Sequence, residues 1–229
     1  MTNLIIAAAA FLLIHLLVSG TRLRDAIIRT IGQGPYMGLY SLASIALLIW
    51  MGFAYAAAQR GPNPVYWSAT PVTKWIQLGV TLIAFLLAVP GLATRNPTSV
   101  AGEALLDRPN TVQGILRITR HPFLWGVALW AAGHLMVNGD LASLILFGSL
   151  FLLAVLGPSS IDAKRRRALG EKWDAFASET SAIPFAAIVQ GRQQLKIGEI
   201  GAWRLGIAVL VWAGLIAAHP MLFGVSPLP

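Results

Sequence analysis

The sequence predicts an all-α fold, a polytopic integral membrane helix bundle of about six transmembrane helices. Three observations carry that expectation. Hydrophobic residues make up 56% of the 229 and charged residues only 11%, with a mean hydropathy of +0.69, whereas a soluble domain is about 25% charged. Apolar runs recur at lengths close to those that cross a bilayer. None of them shows the repeated apolar-polar alternation of about ten residues that a membrane β-barrel needs. The runs leave no block large enough for a separate soluble domain, so residues 1–229 read as a single transmembrane domain.

The runs fall at 4–20, 36–57, 72–92, 122–137, 141–156 and 205–222. The fourth and fifth are short and rely on tilt or flanking residues to cross. The first could pass for the core of a signal peptide. No Lys or Arg precedes it, so it reads as a retained span. Charge then orients the chain. Arg22, Arg24 and Arg29 follow the first run; Arg95, Arg108, Arg117 and Arg120 follow the third; Lys164, Arg165, Arg166 and Arg167 follow the fifth. The alternate connections carry little beyond Arg60 and Asp140. The positive-inside rule therefore places the three basic loops in the cytoplasm and both termini in the periplasm, with Tyr66, Trp67 and Trp75 in the outer aromatic belt. The net charge of +8 thus reflects orientation and contact with anionic lipid, and nucleic acid is not an expected partner.

Two basic loops are expected to contain cytoplasmic interfacial helices. One lies near 111–119, capped by Thr111. The other lies near 162–178, where Leu169, Trp173 and Phe176 recur at helical spacing beside the cluster of four basic residues.

The absence of cysteine excludes disulfides, thiolate-held clusters and a cysteine nucleophile. There is no His-Glu-x-x-His, Gly-x-Ser-x-Gly, glycine-rich phosphate loop or dinucleotide fingerprint. The middles of the runs carry no Asp or Glu, which argues against a carboxylate proton relay. Four histidines remain. His15 and His134 lie inside apolar runs, where an imidazole needs a carbonyl partner, a metal or a cofactor. Either could be an axial ligand to a b-type haem, with small residues nearby to let helices approach. Their positions leave about 12 Å between them in depth. His121 stands at the basic end with Arg117 and Arg120 close before it, a cluster suited to a propionate, phosphate or carboxylate and equally to lipid headgroups. His219, before Pro220, reads as a helix-end residue.

Three segments, HLLVSG from His15, RITRHPFLWG from Arg117 and LWAAGHLMVNG from Leu129, resemble the NnrU family of bacterial membrane proteins and its plant relatives, the 15-cis-zeta-carotene isomerases. The resemblance covers nearly the whole chain. It implies haem b, with His15 and His134 as the matching iron ligands, and redox-dependent cis-trans isomerisation of a lipophilic polyene. A role in denitrification or nitric oxide metabolism is the other implication. Ala131 stands where the isomerases have a cysteine, so a thiolate-for-imidazole exchange is not implied. Arg120-His121-Pro122 and the segment 162–184, with Gly170, Trp173, Phe176 and Pro184, also resemble isoprenylcysteine and phospholipid methyltransferases. That second likeness implies S-adenosylmethionine bound through His121 and Asp162, where the family has Glu. A non-enzymatic accessory role is the third expectation.

Overall fold

The computed structural model describes residues 1–99 and 102–229. The chain forms α1 (Thr2–Leu13), which runs on as a π-helical turn over Ile14–Val18, then α2 (Arg22–Ile31), α3 (Gln33–Gln59), a short strand β1 (Val65–Ser68) and α4 (Pro71–Ala93). A 3₁₀ turn at Glu103–Asp107 leads to α5 (Ile115–Ile118), α6 (Pro122–Val137), strand β2 (Asn138–Asp140) and α7 (Leu141–Leu169). The rest comprises α8 (Glu171–Glu179), α9 (Ala186–Val189), α10 (Ile197–Ile200) and α11 (Ala202–Phe223).

Among the described residues, α3, α4, α7 and α11 are long and apolar enough to cross a membrane. A fifth candidate is the first run taken together with α2, two helices bent by 80° at the break. Helix α6, with 16 residues, is shorter. The protein is an all-α polytopic membrane bundle with four to five candidate spans, where the sequence suggested about six.

Local chemistry sets the helix ends. Thr70 and Thr73 form a reciprocal capping box at the start of α4, with Pro71 in the first turn where its missing N–H costs nothing. Asp140 caps α7 by accepting from the Ser143 N–H at 2.9 Å. Gly170 ends α7 at φ +52°, a left-handed conformation that glycine adopts without steric cost. The helix expected near 162–178 is therefore the last turns of α7 and a separate α8. Trp173 is 0% exposed, so it is a core residue of the basic end and no interfacial anchor. Near 111–119 the helix is confined to Ile115–Ile118. Thr111 does not cap it, because its hydroxyl donates to the Leu105 and Arg108 carbonyls at 2.6 and 2.9 Å.

Without a hydrophobic force between helices in lipid, close approach depends on small side chains. Leu4, Ala7 and Phe11 of α1 share a buried cluster with Met51, Ala54 and Ala58 of α3 and Ala142 of α7. Helices α4 and α6 cross where Gly91 lies against the Pro122–Phe123 backbone and Gly126 against Ala84 and Ala88. Helix α11 is the outermost, joined to α4 by a hydrogen bond from Trp212 Nε1 to Thr81 Oγ1 at 3.1 Å.

At one end of the bundle β1 and β2 pair antiparallel, Val65 opposite Asp140 and Ser68 opposite Asn138, so the two sparsely charged connections are zipped together. Gly139 is required there, since a Cβ would meet the Trp67 carbonyl oxygen at 2.3 Å. Asp140 also accepts from Gln59 Nε2 at 2.9 Å and Asn63 Nδ2 at 2.8 Å. This is the clasp end. The three basic segments gather at the opposite, basic end.

Candidate functional site

At the basic end, Pro122 opens α6 and leaves His121 as the residue before its first turn. Asp162 reaches it from α7. The Asp162 carboxylate accepts from His121 Nε2 at 2.8 Å and from Arg120 Nε at 3.0 and 3.2 Å, with a further bond from Arg120 Nη2. An ionised carboxylate only accepts, so Nε2 carries the proton and the Nδ1 of the neutral ring is a bare lone pair. That Nδ1 is buried and unpartnered among the described residues. Burial pushes the imidazole below its ordinary pKa, against the opposing pull of Asp162. The Arg120 carbonyl is held by Asn96 Nδ2 at 2.9 Å and Thr98 Oγ1 at 3.2 Å, and its N–H donates to the Ser181 carbonyl at 2.9 Å.

Arg117 does not join this group. Its guanidinium donates to Glu199 at 2.7 and 3.1 Å and to Gln193 at 2.6 Å. Arg117 and the Gly114 N–H hold the Glu199 carboxyl down at about 2, so this link from α5 to α10 stays ionised throughout the neutral range. The expected cluster of Arg117, Arg120 and His121 is thus divided, because each arginine has a carboxylate from a distant part of the chain. An anion arriving at Arg120 and His121 would have to displace Asp162. His121 is 2% exposed and Arg120 is already neutralised, while His121 and Asp162, the two residues the methyltransferase likeness implies, lie together. Of the basic run, Arg165 turns inward to Glu103, Arg166 pairs with Asp174 at 2.7 Å and Arg167 donates to the Gly20 carbonyl at 3.4 Å. Three of the four side chains of the run thus have partners within the chain.

The two histidines within the bundle share one local design. His15 Nδ1 donates to the Phe11 carbonyl at 2.7 Å, and His134 Nδ1 to the Trp130 carbonyl at 2.8 Å, each one helical turn back. A carbonyl accepts only, so in the neutral rings Nε2 is left as a lone pair, the orientation that metal-binding histidines use. Their surroundings differ. The His15 ring packs against Phe11 at 4.3 Å and Tyr40 at 5.5 Å. The His134 ring stacks on Phe147 at 4.7 Å and lies 4.5 Å from Trp130. His219 bonds the Val225 carbonyl through Nδ1 at 2.8 Å and closes the end of α11.

The Cα atoms of His15 and His134 stand at different levels of the bundle. Gly20 packs against Ser160 of α7, and His121 bonds Asp162 two residues further on, so His121 stands about 3 Å nearer the basic end than Gly20. His134 lies thirteen residues along α6 from His121, about 20 Å, while His15 is only five residues from Gly20, at most about 8 Å. About 9 Å of depth separates their Cα atoms, each ring leans one turn back along its helix toward the other, and they share no ring neighbour among the described residues. One iron with two axial imidazoles, each bond about 2 Å, needs nitrogens about 4 Å apart. The Nε2 lone pair of each ring is free for an axial position on a haem iron. Among the described residues no group of three or more His, Cys, Asp or Glu is placed to hold a metal ion by side chains alone.

The HLLVSG, RITRHPFLWG and LWAAGHLMVNG segments thus sit on α1, at the start of α6 and at its far end. A family profile described as NnrU protein matches residues 3–227. The chain belongs to the NnrU family. This NnrU protein is also 28% identical over 178 residues to the 15-cis-zeta-carotene isomerase, chloroplastic, of Zea mays, a match covering 76% of this chain and 47% of that one. It is 28% identical over 218 residues to the corresponding protein of Arabidopsis thaliana, covering 89% and 56%. The chain spans about half the length of these relatives. No solved structure matches.

Sequence reasoning missed the Arg117–Glu199 link, the Arg165–Glu103 pair and the aromatic setting of His134. For Asp162 a signal existed, in the acidic position of the methyltransferase likeness.

Proposed function

We propose that this NnrU protein acts on a lipophilic polyene as a cis-trans isomerase of redox type, in a bacterial inner membrane crossed six times, with α1 and α6 included, and with both termini periplasmic. The observation that carries this reading is the similarity to proteins titled 15-cis-zeta-carotene isomerase over 89% of the chain. Two features agree with it. The middles of the apolar helices hold no carboxylate, which suits an uncharged, water-insoluble substrate. Near the clasp end, Trp130, His134 and Phe147 form a contiguous aromatic surface, with Tyr55 edge-on to Phe147 at 6.3 Å. Flat rings of this kind stack on a conjugated chain and hold it against rotation at one side.

In this reading the helices orient the polyene and keep water from it, and His134 Nε2 is the polar atom presented to it. Haem b, held through the free Nε2 of His15 or His134, would supply the redox chemistry. The test supplies a 15-cis polyene in proteoliposomes containing the full chain, oxidised or dithionite-reduced, and follows the isomers by chromatography. Conversion to the all-trans bond in one redox state, lost in Phe147→Ala and His134→Ala, is the expected result. No conversion in either state, with the protein folded, overturns the proposal.

A further inference from the structure

The basic run of α7 leaves one of its four cations unaccounted for. Arg165, Arg166 and Arg167 have partners within the chain, whereas Lys164, though half-buried, makes no hydrogen bond or ion pair among the described residues. Asp162, two residues earlier and so on the opposite side of α7, is spent on Arg120 and His121. Lys164 instead faces the elbow between α1 and α2, where Gly20 packs against Ser160, one turn before Lys164 on the same face of α7. Helix side chains lean toward the N-terminus, and Arg167 reaches back in this way to the Gly20 carbonyl at 3.4 Å, which brings its charge beside that of Lys164. From α2, Arg24 and Asp25 are close enough for their charges to act on Lys164, and these two pair with each other at 3.2 Å. In this notch between α2 and α7, Lys164, Arg167 and Arg24 thus share a single carboxylate among the described residues.

The setting of the notch restricts what can complete it. Helix α2 turns 80° from α1. Its Arg22, Asp25 and Arg29 recur on one face and Leu23, Ile27 and Ile31 on another, the pattern of a helix that lies in the plane of a membrane surface. Arg24 departs from the polar face and turns inward over the Tyr36 ring at 5.7 Å. The notch therefore stands at the depth of lipid headgroups. One turn from it toward the bilayer, Leu17 of α1 and Leu156 of α7 are 53% and 43% exposed and open to acyl chains. The excess of positive charge calls for an anion, and the apolar flank calls for one that carries chains. Ammonium and guanidinium N–H groups together suit phosphate oxygens. We propose that this notch binds the phosphate of one anionic phospholipid, held between Lys164, Arg167 and Arg24, with its chains along Leu17 and Leu156. Basic loops attract anionic lipid in a diffuse way, through charge near the surface. A built notch goes further, since it takes one lipid per chain and ties the elbow of α1 and α2 to α7. It stands apart from the polyene reading.

The test is native mass spectrometry of the detergent-purified full chain titrated with dioleoyl phosphatidylglycerol, and in parallel with dioleoyl phosphatidylcholine and with inorganic phosphate. Saturation at one phosphatidylglycerol per chain is expected, with Kd raised about threefold to tenfold by Lys164→Gln and by Arg167→Gln, the worth of one basic side chain beside a headgroup. Arg29→Gln removes the same charge from an exposed position of α2 and is expected to leave Kd unchanged. Lys164→Gln breaks no bond within the chain, so in lipid-free detergent it is expected to melt with the parent, which separates loss of the site from loss of the fold. Equal retention of phosphatidylcholine, an equal weakening by Arg29→Gln, or a Kd unchanged in Lys164→Gln overturns the proposal. So does occupation of the site by inorganic phosphate at the same concentrations, since the ligand would then be a soluble anion.

Discussion

Asp162→Ala is expected to destabilise the protein by about 3–5 kcal/mol, the penalty for leaving a buried charge without its partner. The carboxylate is at once the counter-charge of Arg120 and the acceptor of the Nε2–H of the neutral His121. Arg120 and His121 retain only 11% and 1% of their side-chain exposure, so neither gains much solvation when Asp162 is lost. Asp162→Asn keeps one acceptor and is expected to fall between the variant and the parent. Thermal unfolding in detergent reads the effect, and full stability in Asp162→Ala would mean that Arg120 finds another acceptor. The loss also reaches beyond the pair. The backbone of Arg120 is the point at which the segments containing Asn96, Thr98 and Ser181 are bound to α6, so a displaced Arg120 loosens three connections together.

Gly126→Val is expected to separate α4 from α6. A Cβ at Gly126 would lie 2.6 Å from Ala88 Cβ and 2.7 Å from the Ala84 carbonyl oxygen. The first neighbour is the whole of a short side chain and the second is backbone, so neither can swing away. Overpacking of this kind costs about 1–3 kcal/mol where neighbours yield, and the expected loss lies at or above the top of that range. Gly148→Val, with nothing within 4 Å of its Cβ position, is the matching control and is expected to unfold with the parent. Equal melting temperatures for the two variants would show that the crossing is looser than described.

Hydropathy alone made the long helices legible, because burial in lipid demands continuous apolar residues whatever the packing. It was less able to set their ends. α7 continues through the basic run to Leu169 because Arg165 has Glu103 to receive it, and that partner lies 62 residues away. Gly170 and Gly114, both with positive φ, break the basic loops at places where side-chain periodicity gives no sign of a stop. The same limit applies to the site. His15 and His134 were conspicuous as imidazoles in apolar runs, and the bond to the carbonyl one turn back follows from helix geometry. Whether they meet depends on how α1 and α6 are staggered, which is set by contacts such as Gly20 on Ser160 and Gly126 on Ala88.

The strand pair at the clasp end also bears on the order in which the protein is made. Val65 and Asp140 are distant in sequence, and α4 and α6 lie between them. The ribbon can close only after both of those helices have been threaded, since bringing distant points of a chain together costs entropy before any bond is gained. Until then Asp140 and the backbone of β1 have only water to bond. Closure of the ribbon is thus a late event in biogenesis, a latch that sets only when the helices inserted before and after it have already found one another.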